Sequence, residues 1–82
     1  MSNNFQGGAS PRDYINEFNT VGQRRGLEVQ YECTSTGPKN NELWTATLSL
    51  GGTTWTKGSA KTKREAKANA ARDAIALVQN GY

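Results

Sequence analysis

Leu43-Trp44-Thr45-Ala46-Thr47-Leu48-Ser49-Leu50-Gly51-Gly52-Thr53-Thr54-Trp55-Thr56 is the stretch whose reading decides the fold. Apolar and small polar residues alternate up to Leu50, the period of a strand with one face buried. Gly51-Gly52 suits a two-residue hairpin, whose central positions need φ > 0. The chain then returns as a strand from Thr53 to about Gly58. Such a loop places Leu50 opposite Thr53 and Leu48 opposite Trp55, and opposed residues share a face. One face then carries Trp44, Ala46, Leu48, Leu50 and Trp55; the other carries Thr45, Thr47, Ser49, Thr54 and Thr56. The expectation is an antiparallel sheet, buried on one side and threonine-rich and solvated on the other. Lys57 falls on the apolar side in this register, so it needs the rim, or a bulge that turns it outward. Trp44 and Trp55 share a face with leucines and are read as core residues, not as base-stacking platforms.

Upstream, Leu27, Val29, Tyr31 and Cys33 alternate with Glu28, Gln30 and Glu32, a further half-buried strand. Cys33 is read as a small buried hydrophobe. Thr34 to Glu42 is expected to be a loop, with Gly37-Pro38 as its turn signal. Ser10-Pro11 opens a helix in this reading: Ser10 caps it, Pro11 takes the first helical position and Asp13 completes a capping box. At ~100° per residue, Tyr14, Ile15, Phe18 and Val21 form an apolar arc. Asp13, Asn16, Glu17 and Thr20 lie opposite, a short-chained face rich in hydrogen-bonding groups. Gly22 is expected to help end this helix and Gly26 to mark the connection onward. Residues 1–9 read as a disordered tail with Phe5 as its isolated aromatic.

Downstream, a helix is expected from Lys63 to about Gln79. Thr62 and Glu65 form a capping box at its start. Ala66, Ala70, Ala74 and Leu77 make one stripe, broadened by Ala71 and Val78, with Ile75 at its edge. Lys63 and Lys67 lie along that stripe. Two cations cannot be buried unpaired, so the first turn and a half is expected to overhang the sheet. The charges also oppose the helix dipole, whose N-terminal end is positive. Lys61, Lys63, Arg64 and Lys67 crowd it with more positive charge, an arrangement that suits a polyanion such as a phosphate backbone.

Composition narrows the chemistry. Eighty-two residues make at most one small domain. The chain has no histidine and one cysteine. That excludes His-based acid–base or nucleophile catalysis, makes a zinc site untenable, and leaves no disulfide framework. No cofactor is expected. The net charge is only +3, but four of the ten basic residues fall within Lys61–Lys67. No apolar run approaches the ~18 residues of a membrane span, so no membrane partner is expected, and an intracellular setting is.

The element order is helix, three antiparallel strands, helix: an α+β, two-layer α-β-β-β-α domain with both helices on one face of the sheet. This order resembles the double-stranded RNA-binding domain family, and three local motifs agree. Ile15-Asn16-Glu17 resembles the leucine-asparagine-glutamate signature of its first helix. Gly37-Pro38-Lys39-Asn40 resembles its Gly-Pro-x-His loop. Thr62-Lys63-Arg64-Glu65-Ala66-Lys67 resembles its Ser-Lys-Lys-x-Ala-Lys helix start. The loop and the Asn69-Ala70-Ala71-Arg72-Asp73 run look most similar to domains of RNA helicase A type proteins.

The resemblance covers residues 10–79, with 80–82 as a C-terminal tail. It implies a module that lies along A-form RNA over about 16 base pairs, touching two minor grooves and the major-groove phosphates between them, with little sequence preference. Its RNA contacts would be Arg12, Asp13, Asn16 and Glu17 on the first helix, Pro38, Lys39 and Asn40 on the loop, and Lys61, Lys63, Arg64 and Lys67 at the second helix. Asn40 stands where the family usually has His, Asp13 where it often has a neutral amide, and Ala60 where it often has Gly. Double-stranded RNA is the expected partner and DNA is disfavoured. The alternative is a protein-interaction or dimerisation module using the Thr54/Thr56 edge and Leu77-Val78. Any catalytic centre would lie elsewhere in a larger protein.

Overall fold

The structure is a computed structural model that describes residues 13–82. Five elements follow in order: α1 (Tyr14–Arg25), β1 (Val29–Thr36), β2 (Leu43–Leu50), β3 (Thr53–Ala60) and α2 (Lys63–Gln79). The strands form one antiparallel sheet in the order β1-β2-β3. Both helices cover the same face, which gives the expected α-β-β-β-α arrangement. Between them and the sheet lie Phe18, Leu48, Leu50 and Ile75, together with Ala46, Ala66, Ala70, Ala71 and Ala74. Among the described residues no helix is long and apolar enough to cross a membrane.

The hairpin turns at Gly51 and Gly52, with φ of 59° and 84°, the left-handed pair such a turn demands. Its register departs from strict alternation. Leu50 pairs with Thr53 and Ser49 with Thr54, but Leu48 then pairs with Thr56, which leaves Trp55 as the extra residue of a β-bulge. Every residue of β3 beyond the bulge is therefore turned over relative to simple alternation. Lys57 pairs with Thr47 and is exposed, so the bulge turns it outward. Thr56 does not belong to the solvated face: it is half-buried, and its hydroxyl donates to the Ala70 carbonyl at 2.7 Å. Trp55 stays on the helix side, its ring edge-on to Phe18 at 5.5 Å.

The same phase change brings Gly58 under α2. A Cβ there would lie 2.6 Å from the Ala66 carbonyl oxygen and closer still to the Ala70 amide nitrogen. The helix backbone thus rests directly on β3. Asn69 Nδ2 donates to the Ser59 carbonyl at 3.0 Å beside this contact. Ile75 is buried rather than marginal, while Leu77 and Val78 are only half-buried.

Four other expectations change. Helix α1 starts at Tyr14 with Asp13 as its cap, the Asp13 carboxylate accepting from the Asn16 amide. Ser10 and Pro11, expected to open it, lie outside the described residues, as do Arg12 and the 1–9 tail. Gly22 does not end α1. It is buried inside the helix, where a Cβ would lie 2.5 Å from Val29 Cγ2. Gly26, at φ 68°, is the left-handed cap instead. Strand β1 begins at Val29, leaving Leu27 exposed before it, and runs on to Thr36. The loop is correspondingly shorter, with a 3-10 turn over Lys39–Asn41.

Candidate nucleic-acid interface

Helix α2 starts as its sequence requires. The Thr62 hydroxyl accepts from the Glu65 amide at 3.1 Å and donates to the Glu65 carboxylate at 2.9 Å. The carboxylate thus bonds the capping hydroxyl itself, not the Thr62 N–H of a standard capping box. Lys61, Lys63 and Arg64 are exposed and Lys67 is half-buried. None of these four has a carboxylate partner among the described residues, where the one ion pair is the exposed Arg72–Asp73 contact at 3.4 Å.

The expected overhang is replaced by a different solution. Lys63 Nζ stands 5.5 Å over the Trp44 ring, and Lys67 Nζ stands 5.8 Å over the Tyr31 ring. The two cations lie above the sheet, on aromatic faces whose negative quadrupole attracts them by about 0.5–1 kcal/mol each at exposed sites. No carboxylate is consumed, so the positive charge stays available to a ligand. Burial, and secondarily the Asp13 carboxylate, pushes the Tyr31 hydroxyl up to about 12, so the ring remains neutral. The roles of Trp44 and Tyr31 were not visible in the sequence, because each contact joins residues from different elements.

The first turn of α1 meets this basic end. An open cleft of 410 Å³ is lined by Asp13, Ile15, Asn16, Lys63, Arg64 and Lys67. Asp13 binds Asn16 twice: Oδ1 accepts from the backbone N–H at 3.1 Å and Oδ2 from the side-chain Nδ2 at 2.7 Å. Glu17 is not in this cleft. It lines a second groove between the helices with Thr20, Val21, Arg24 and Ile75.

Pro38, Lys39 and Asn40 form a separate tip. The Pro38 carbonyl accepts from the Asn41 amide at 2.9 Å, which closes the turn, and Lys39 and Asn40 are exposed. Thr36 pairs with Leu43, and Trp44 with Ala60 just before α2. The loop therefore leaves the sheet at the end where the basic helix starts. At the opposite end Tyr82 stacks edge-on to Trp55 at 5.5 Å, and its carbonyl accepts from Arg25 at 2.8 Å.

A basic helix start flanked by a polar helix face and a protruding loop, on an α-β-β-β-α frame, defines a nucleic-acid-binding module. Residues 14–78 match the family model described as the double-stranded RNA binding motif, and the chain belongs to that family. Among curated proteins no significant match was found. The solved structure of both double-stranded RNA-binding domains of DRB4 with their linker is similar at 28% identity and a TM-score of 0.70, over 89% of this chain and 51% of that one. The chain thus spans about half of that two-domain structure. The second DRB4 domain alone is similar at 28% identity and a TM-score of 0.67, over 85% of this chain and 100% of that one. A structure of Arabidopsis HYL1 is similar in fold at 23% identity and a TM-score of 0.65, over 80% of this chain and 94% of that one. These likenesses give no support to the narrower comparison with RNA helicase A type proteins. The motif is a binding module, and double-stranded RNA is what it binds.

Proposed function

We propose that this domain holds A-form RNA at three places. Lys63, Arg64 and Lys67, with Lys61 beside them, take the phosphates across the major groove. Asn16 and Glu17, with Arg12 and Asp13 next to them, meet one minor groove. Pro38, Lys39 and Asn40 enter the next. The observation that carries this reading is the set of α2 cations held over aromatic rings without carboxylate partners among the described residues. Selection is for duplex shape, with base sequence secondary, and DNA is the poorer ligand because it lacks 2′-hydroxyls. The domain supplies binding and any chemistry lies elsewhere in a larger, intracellular protein that handles RNA. Recruitment of a protein partner or second copy through Thr54 and Thr56 is weakened, since Thr56 already donates to Ala70.

The test is a titration of a ~20-base-pair RNA duplex, longer than the expected footprint, against DNA of the same sequence at two salt concentrations. Tighter binding to RNA, and affinity that falls with salt, are expected. Replacing Lys63, Arg64 and Lys67 together by Ala removes most binding while far-UV circular dichroism is unchanged. Normal duplex binding by that triple variant would refute the assignment.

A further inference from the structure

We propose that Arg25 and Tyr82 are positioning residues for the first-helix RNA contact. With Trp55 they clasp the far end of α1, and so hold its first turn in register with the basic start of α2. This rests on the duplex-binding reading above and assigns to it two residues that stand away from the cleft itself.

The clasp joins three elements. Helix α2 ends in a turn through Gly81 at φ 92°. Two bonds close it: the Gly81 N–H donates to the Val78 carbonyl and the Tyr82 N–H to the Leu77 carbonyl, each at 3.0 Å. The turn sets the Tyr82 ring edge-on to Trp55 of β3, with centroids 5.5 Å apart. Arg25, the last residue of α1, completes the set. Its Cζ stands 5.4 Å over the Trp55 ring, and its Nη2 donates to the Tyr82 carbonyl at 2.8 Å. Trp55 also meets Phe18 edge-on at 5.5 Å, so this one side chain touches α1 at two places.

The consequence for RNA follows from how α1 is seated. Only Phe18 and Gly22 of α1 are buried, whereas α2 buries five residues. Phe18, Gly22 and Arg25 are spaced by four and three residues, which places them on one face of the helix. At 1.5 Å per residue, Phe18 and Gly22 fix the axis over about 6 Å, and Arg25 extends that baseline to about 10 Å. Asp13 and Asn16 lie beyond Phe18, on the other side of it from Arg25. A tilt about Phe18 therefore moves them relative to Lys63, Arg64 and Lys67, which share their cleft. A hold on the far end of α1 limits that tilt without touching the ligand. A guanidinium suits the task, because it lies flat on the indole while its N–H edge still reaches the carbonyl.

The test is a double-mutant cycle, read by fluorescence anisotropy on a ~20-base-pair RNA duplex at one salt concentration. Tyr82→Ala removes the ring. Arg25→Lys keeps the charge but cannot both lie flat on Trp55 and reach the carbonyl. Circular dichroism and urea unfolding verify that each variant is folded at the assay temperature; should Tyr82→Ala not fold, Arg25→Lys carries the cycle alone. Each is expected to bind about 3- to 10-fold more weakly than the native chain, the scale of one such contact. Tyr82→Phe, which keeps the ring, binds as the native chain does. Asn16→Ala weakens native binding, and in either clasp variant that cost shrinks by about 3-fold or more. The cost of Lys63→Ala, a phosphate contact on α2, is the same in all backgrounds. A merely structural clasp would lower the urea midpoint and leave both costs alone. Native-like binding by the folded clasp variants, or an Asn16→Ala cost equal in every background, overturns the proposal while leaving duplex binding intact. A native chain that does not bind the duplex, or one in which Asn16→Ala costs nothing, overturns the reading beneath it as well.

Discussion

Tyr31 shows how much one residue carries here. Its ring is the floor beneath Lys67, and its hydroxyl is pushed up from 10.0 to about 12, chiefly by burial and then by Asp13. A folded-state value above the unfolded one means the native state holds the proton longer. This contribution to stability is fully present below pH 10 and is lost as pH rises through about 12. The expected outcome is a native chain that loses stability between those limits more steeply than Tyr31→Phe, measured by urea unfolding at a series of alkaline pH values. The comparison cancels the lysines and other tyrosines that titrate in the same range. The residue scale is also where the sequence was least legible. Thr62 with Glu65 signals a cap that the structure keeps. Ser10-Pro11 signals one equally well, yet the described helix takes Asp13, because local patterns do not rank competing acceptors. The cation–aromatic contacts have no local signature at all.

At the scale of elements, the seat of α2 on β3 controls where the basic end points. Gly58 admits the backbone at Ala66 and Ala70, and Thr56 and Asn69 bond across the same contact. Gly58→Ala places a methyl group into the helix backbone. It is expected to destabilise the domain by about 1–3 kcal/mol, the usual cost of overpacking, measured from the urea midpoint. The bounds of α2, the Gly51-Gly52 hairpin and the buried face of β2 were all legible in the sequence, since each rests on contiguous periodicity or turn chemistry. The second half of β3 was not. Period-two reading carries straight on through Trp55, and only the misplaced Lys57 marks the fault. Nor was the role of Gly22 legible, because a glycine needed for close packing by Val29 reads locally like one that ends a helix.

Across the whole molecule, charge is sorted. The basic cluster and the first turn of α1 share one cleft, while Glu28 and Glu32 stand exposed beside and along β1. A small net charge of +3 therefore still gives a directional field. Single replacements of Lys63, Arg64 or Lys67 by Ala are each expected to reduce the slope of log affinity against log salt by about one. Anisotropy titrations over a salt series measure this, and an unchanged slope would remove that residue from the phosphate contacts. The bulge at Trp55 sets a deeper condition on the arrangement. It acts as a parity switch: residues facing α2 are odd-numbered before it and even-numbered after it. The same chain paired without the bulge would keep its whole composition, yet it would aim Lys57 at the helix and Gly58 at water. What this strand encodes is a count as much as a set of side chains. It should tolerate many exchanges of one residue for another, whereas one residue inserted between Thr54 and Gly58 would turn Gly58 away from α2.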